Sequence, residues 1–189
     1  AVVTFNQTGT SKENGREWIR NIHSHVWTRV DGKWLRLHEQ VTPLTADLVA
    51  MTRRYIEEVW NKGDLSVVDE LCAPDVVHTG PPSTGAVTNG IEERKQFITA
   101  VRTAFPDVKF TIDRGMLARA NRVTVQWTIT GTHQGEFMGI AATGKKVTNT
   151  GISIFTFAKG KIVDSYGMWD PLNLWRQLGV DPPQPPAAD

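Results

Sequence analysis

Three side chains in this 189-residue sequence stand out as able to move a proton near neutral pH without help from a cofactor. His78 ends a short extended piece, Asp75-Val76-Val77-His78. His133 closes the run WTITGTH, and Asp170 follows Trp169. An imidazole titrates near neutrality and a carboxylate stands ionised, so each is a candidate general acid or base. Each also has a plain structural role open to it. His78 can bond a loop carbonyl, His133 can be a hydrogen-bonded residue at a rim, and Asp170 can cap a helix beginning at Pro171. Around them stand Trp127, Phe137, Met138, Phe155 and Trp169, which can build a core or wall an apolar ligand site. Ser153 and Tyr166 complete the set of candidate ligand contacts.

Other chemistries find little support. Cys72 is the single cysteine, so no internal disulfide is possible and its expected role is that of a small buried hydrophobe on a short helix. His23-Ser24-His25 is too short a pattern to specify zinc. Gly80 to Gly90 lacks the Lys-Ser/Thr ending of a phosphate loop. No metal and no cofactor is expected. The formal net charge is +1 with no block of one sign, so neither nucleic acid nor a membrane surface is an expected partner. No apolar run reaches the length of a membrane span, and the start AVVTFNQTG lacks the pattern of a signal peptide; a cytoplasmic protein is expected.

The elements that must position these residues follow from hydrophobic periodicity. Residues 1–43 alternate as strands, with Asp31-Gly32-Lys33 as a tight turn between two of them. Leu44, Leu48, Met51, Tyr55 and Val59 fall at helical spacing, and Gly63 ends that helix. A second short helix runs from Leu65 to Cys72, with Asp64 as its cap. A third, Ile91 to Ala104, carries the stripe Ile91, Ile98, Val101 and Phe105, and Pro106 stops it. From Val108 the pattern turns to period two. Val123, Val125, Trp127 and Ile129 alternate with polar residues, and the runs 147–157 and 161–169 are joined by a turn at Gly160. Pro171 to Leu178 forms a last helix. The Pro-rich tail 181–189 reads as extended. Helices followed by a long antiparallel meander predict an α+β domain, a curved antiparallel sheet wrapped over helices. Such a cone leaves a cavity where small ligands bind.

At this point the residues carry a resemblance. Ala104-Phe-Pro-Asp107, Trp127 to His133, Gly135-Glu-Phe-Met-Gly139, Thr143-Gly-Lys145 and Trp169-Asp170 together resemble the SnoaL-like polyketide cyclases of the nuclear transport factor 2-like superfamily. The resemblance covers about residues 45–180. It implies a cone-shaped α+β barrel, a dimer formed through the sheet, and a mostly apolar pocket. It also implies a cofactor-free aldol-type ring closure, or another proton transfer, on a polyketide-like molecule. His78 then ends a strand that faces the cavity.

The family's cyclases use an Asp just before the terminal Trp-Asp and a His on the neighbouring strand. Counting outward from the hairpin at Lys159-Gly160, the Asp position falls on Gly167 and the His position on Ser153. The family pair is therefore replaced. The first block resembles the same superfamily: His25 to Trp34 parallels Ser153 to Ile162, so residues 1–43 resemble the closing strands of a truncated second domain. On that count His25 matches Ser153 and Glu39 matches Gly167, the pair that the main domain lacks. The expected organisation is a β-meander over 1–43, a SnoaL-like domain over 44–180 and a tail. The meander's apolar stripe, including Ile22, Val26 and Trp34, is expected to dock on that domain or on its symmetry mate. Three functions follow: an enzyme of the cyclase, isomerase or hydratase type acting on a small apolar molecule; a small-molecule binding module; or an assembly domain with a filled cavity.

Overall fold

The computed structural model describes residues 45–180 in full and, in backbone alone, the strands 2–13, 16–30 and 33–43. These strands, β1 (Val2–Glu13), β2 (Arg16–Val30) and β3 (Lys33–Pro43), pair antiparallel in that order. The register of β2 on β3 sets His25 opposite Glu39. The expectations placed on side chains of this block lie outside the described residues, as do the turn at 31–32 and the tail 181–189.

From residue 45 the helical spacing is realised with one departure. α1 (Thr45–Arg54) runs into a π-helical stretch, Tyr55–Lys62, which Gly63 ends at φ 80° with its N–H on the Glu58 and Val59 carbonyls. Only glycine adopts that conformation at no steric cost. The wider winding of a π-helix turns neighbouring residues to one side. Tyr55 with Ile56, and Val59 with Trp60, are all buried, where a regular helix spaced from Leu48 would present Tyr55 and Val59. Asp64 accepts from Ser66 N and Oγ at the start of α2 (Ser66–Leu71). Cys72 is the first residue of strand β4 (Cys72–Thr79), a correction to its expected place on the helix. It is buried, and burial pushes its thiol up to about 11, so it packs as a hydrophobe.

After β5 (Val87–Asn89), α3 (Gly90–Ala104) buries Ile98, Val101 and Ala104. The last four strands are β6 (Lys109–Arg119), β7 (Arg122–Thr132), β8 (Lys146–Ala158) and β9 (Lys161–Trp169), and α4 (Pro171–Leu178) closes the domain. The six-stranded sheet has the order β5-β4-β9-β8-β7-β6. The meander β6 to β9 is antiparallel, as the alternation predicts. The sheet as a whole is mixed, because β4 enters parallel to β9. It is curved but open, so the expected barrel is not closed. A parallel neighbour needs a crossover, and here α3 and the meander supply it.

The concave face meets the helices in one core. Leu48, Val59, Ile98, Val123 and Val125 are fully buried there, each stabilising the fold by about 1.5–3 kcal/mol. Asp107 ties the end of α3 to the sheet: its carboxylate accepts from Thr132 N at 2.6 Å and Thr132 Oγ1 at 2.7 Å. No helix among the described residues is long and apolar enough to cross a membrane.

Candidate functional site

Between the helices and the concave face lies a cavity of about 130 Å³. The π-helical stretch contributes Ile56 and Trp60, α3 contributes Phe97 and Val101, and the sheet contributes Phe110, Trp127, Phe155 and Trp169. Strand parity explains the sheet's share. Val125, Trp127 and Ile129 of β7 point inward, as do Ser153 and Phe155 of β8 and Ser165, Gly167 and Trp169 of β9. The polar lining is sparse: His78, Arg94, Thr130, Asn149, Ser153 and Ser165. No carboxylate among the described residues lines the cavity.

His78 reaches this space from β4. It is the register partner of Ser165 across the parallel β4–β9 pair, and its Nδ1 lies 2.9 Å from Ser165 Oγ. The ring then points at Gly167. A Cβ at Gly167 would stand 3.3 Å from His78 Cε1, 3.9 Å from Nε2 and 3.6 Å from Ser153 Oγ. Gly167 and Ser153 are themselves register partners on β9 and β8. Ser153 Oγ accepts from Trp127 Nε1 at 2.9 Å. His78 and Ser153 therefore converge on the room that glycine leaves at 167, with Trp127 bonded to Ser153. Burial, and after it the positive charge of Arg94, push the His78 imidazole down to about 3 from its usual 6.5. It is neutral at physiological pH. In the tautomer whose Nδ1–H donates to Ser165, the Nε2 lone pair is left for the cavity.

Of the candidates read from the sequence, His78, Trp127, Phe137, Ser153, Phe155 and Trp169 come together around the cavity. His133, Asp170, Met138 and Tyr166 do not line it. His133 is fully buried behind the wall, stacked on Phe105 with 5.1 Å between ring centroids. Its Nδ1 accepts from Thr143 N and Oγ1, which pins the loop 135–145, and burial lowers its pKa. Asp170 is exposed and accepts from Asn173 N at 2.9 Å as the N-cap of α4, with Pro171 in the first turn. Met138 is exposed in the turn between Phe137 and Ile140, at φ 52°. Tyr166 has the opposite strand parity to Ser165 and Gly167 and stands on the outer face.

The sequence reading missed Arg94. The signal was present: Ile91, Arg94, Ile98, Val101 and Phe105 are spaced three and four apart, so a cation occupies a position in the apolar stripe of α3. It is 4 % exposed and lines the cavity.

The family model of the SnoaL-like polyketide cyclases matches residues 50–178. The chain belongs to the SnoaL-like polyketide cyclase family. Among its SnoaL-like relatives is the aklanonic acid methyl ester cyclase DauD of Streptomyces sp. (strain C5), 26% identical over 137 residues, which are 72% of this chain and 84% of DauD. The aklanonic acid methyl ester cyclase AcmA of Streptomyces galilaeus is 26% identical over 139 residues, 74% of this chain and 95% of AcmA. Among solved structures, AclR of Streptomyces galilaeus, described as a candidate hydroxylase, superposes with a TM-score of 0.63 at 28% identity, over 76% of this chain and 87% of AclR. A candidate SnoaL-like polyketide cyclase of Jannaschia sp. CCS1 has the same fold, with a TM-score of 0.68 at 22% identity over 75% and 97% of the two chains. Set beside the acid/base pair of SnoaL-like cyclases, this member has Gly167 and Ser153 in register and a histidine entering from β4.

Proposed function

We propose that this chain is a cofactor-free proton-transfer enzyme of the cyclase type, closing a ring by aldol addition within a small, largely apolar polyketide-like molecule. The observation that carries the proposal is the position of His78, whose ring stands against the space that a side chain at 167 would fill. The acid/base group has moved from β9 to β4, and glycine at 167 is its complement.

In this mechanism His78 Nε2 takes a proton from a carbon flanked by two carbonyls. The enolate carbon bonds to a second carbonyl carbon of the same molecule, and that carbonyl's π electrons move to its oxygen. The alkoxide recovers the proton from the imidazolium, so His78 ends as it began and nothing is oxidised or reduced. Burial and Arg94 both disfavour the imidazolium before the reaction. A developing enolate supplies the opposite charge, so this penalty shrinks as the transition state forms. The aromatic walls hold the chain folded and exclude water, which favours ring closure by proximity.

The test separates proton abstraction from ring closure. A 1,3-diketone is incubated with the protein in D2O, and loss of its central C–H is followed by NMR. The wild type should speed exchange, and His78→Gln should slow it about a hundredfold or more. Exchange that is indifferent to His78→Gln overturns the proposal. Aklanonic acid methyl ester, named for both curated relatives, is the first molecule to try for ring closure itself. The lack of a carboxylate among the described residues that line the cavity favours one other function, a non-catalytic binding module. That function predicts diketone binding with no exchange at all.

A further inference from the structure

Among the described residues, Arg94 is the one charged residue that lines the cavity. Its side chain lies among three aromatic rings: Cζ is 6.0 Å from the centroid of Tyr55, 5.4 Å from Trp60 and 5.6 Å from Phe97. Nε donates to Tyr55 Oη at 2.9 Å. The Nη1 atom is buried and has no hydrogen-bond partner among the described residues. None of the ion pairs among the described residues includes Arg94. A guanidinium stays charged in proteins, and a buried charge is held at a cost of several kcal/mol unless it is paired. Apolar residues would fill the same stripe of α3 without that cost. A cation kept there, with an N–H unspent and a cavity beside it, fits a ligand that brings the missing negative charge.

We propose that Arg94 is an anion-binding residue, and that the cavity receives a flat apolar molecule carrying one negatively charged oxygen, a carboxylate or an enolate, on the free guanidinium N–H. This inference rests on the cavity being the ligand site, as in the function proposed above, but not on the reaction. Phe97 packs beside both polar groups: its ring centroid is 6.0 Å from that of His78 and 5.6 Å from Arg94 Cζ. A ligand beside that ring is within reach of both a neutral nitrogen and a cation. The rings around Arg94 also exclude water, so the charge-assisted bond is only weakly screened by salt.

The test measures binding of two isosteric probes, 1-naphthoate and 1-naphthamide, to the full chain by calorimetry. Naphthoate should bind at least about tenfold more tightly, the scale of a charge-assisted hydrogen bond over a neutral one. Arg94→Met should erase that preference while leaving naphthamide binding in place. Because this change orphans the buried Tyr55 hydroxyl, the double variant Arg94→Met/Tyr55→Phe removes both partners together and should behave in the same way. Arg94→Lys, which keeps a cation without the fork, should keep part of the preference. Equal affinity of the wild type for the two probes, no binding of naphthoate, or an intact preference in either Met variant overturns the proposal. No turnover is read. A cavity that prefers the acid but exchanges no proton therefore defeats the reaction alone, and an enzyme indifferent to ligand charge defeats this proposal alone.

Discussion

The Trp127 indole packs against the backbone of Gly151, its register partner on β8. A Cβ at 151 would stand 2.4 Å from Trp127 Cζ2, 2.5 Å from Cη2 and 2.6 Å from the Met168 carbonyl oxygen. The glycine is what lets the indole reach across β8 and donate to Ser153. Gly151→Ala should therefore destabilise the domain by about 2 kcal/mol or more, since neither a packed indole nor a backbone carbonyl can move aside cheaply. Thermal unfolding would read this as a Tm lower by several degrees. In a double-mutant cycle with Trp127→Ala, the two losses should be less than additive.

Gly167 tests the relation between its own missing side chain and His78. It carries no positive φ, so alanine is tolerated by the backbone there. The added methyl would press on His78 Cε1 at 3.3 Å, and His78 is held from behind by Ser165. Gly167→Ala is expected to fold with a Tm within a few degrees of the wild type but to slow diketone exchange at least about tenfold, as a displaced catalytic group does. Unchanged exchange would detach His78 from the chemistry.

The depressed titration of His78 has two consequences for pH. Between its unfolded value of 6.5 and its folded value of about 3, the unfolded chain takes up a proton that the folded chain refuses. Stability is therefore complete above 6.5 and falls as the pH drops toward 3, by at most about 1.4 kcal/mol per pH unit from this residue. His133, lowered by burial, acts in the same direction. Urea unfolding at pH 7 and pH 4.5 should show a smaller difference in His78→Gln than in the wild type. For catalysis, the base form persists at mild acidity, so kcat/KM should show no limb near 6.5. A limb there would mean that His78 titrates as an ordinary exposed histidine.

The outer face of the sheet leaves apolar side chains in water. Ile152 is 48% exposed and Met168 is 40% exposed, and the two are register partners; Tyr166 stands beside them opposite Ile154. Contiguous apolar surface of this kind marks an interaction site. A homodimer through this face is expected by light scattering at micromolar concentration, and Ile152→Lys/Met168→Lys should yield a folded monomer. A wild-type monomer under those conditions tells against the interface.

How much of this was legible in the sequence follows from the range of each interaction. Alternation in residues 122–169 and helical spacing in 45–104 are local properties, set by which side chains must leave water, so the elements and the inward parity of Trp127 could be read directly; β8 carries apolar residues on both parities, so its inward set could not. The cap at Asp170 was legible for the same reason, since Asp before Pro is a local signal. Counting out from the short turn at Gly160 would set Ser153 opposite Tyr166; a bulge between Thr156 and Phe157 shifts the register by one and puts Ser153 opposite Gly167. What the chain order alone did not decide was how elements distant in sequence meet. The parallel entry of β4 beside β9 brings His78 onto Ser165, 87 residues away, and only that pairing aims its ring at Gly167. The apolar pair Ile56 and Trp60, four apart, was visible in the sequence, but the π-helical winding that carries them was not. Arg94 shows the limit most plainly. Its place in the apolar stripe was visible, but whether a cation there is paired depends on every residue packed around it, and that is a property of the tertiary structure alone.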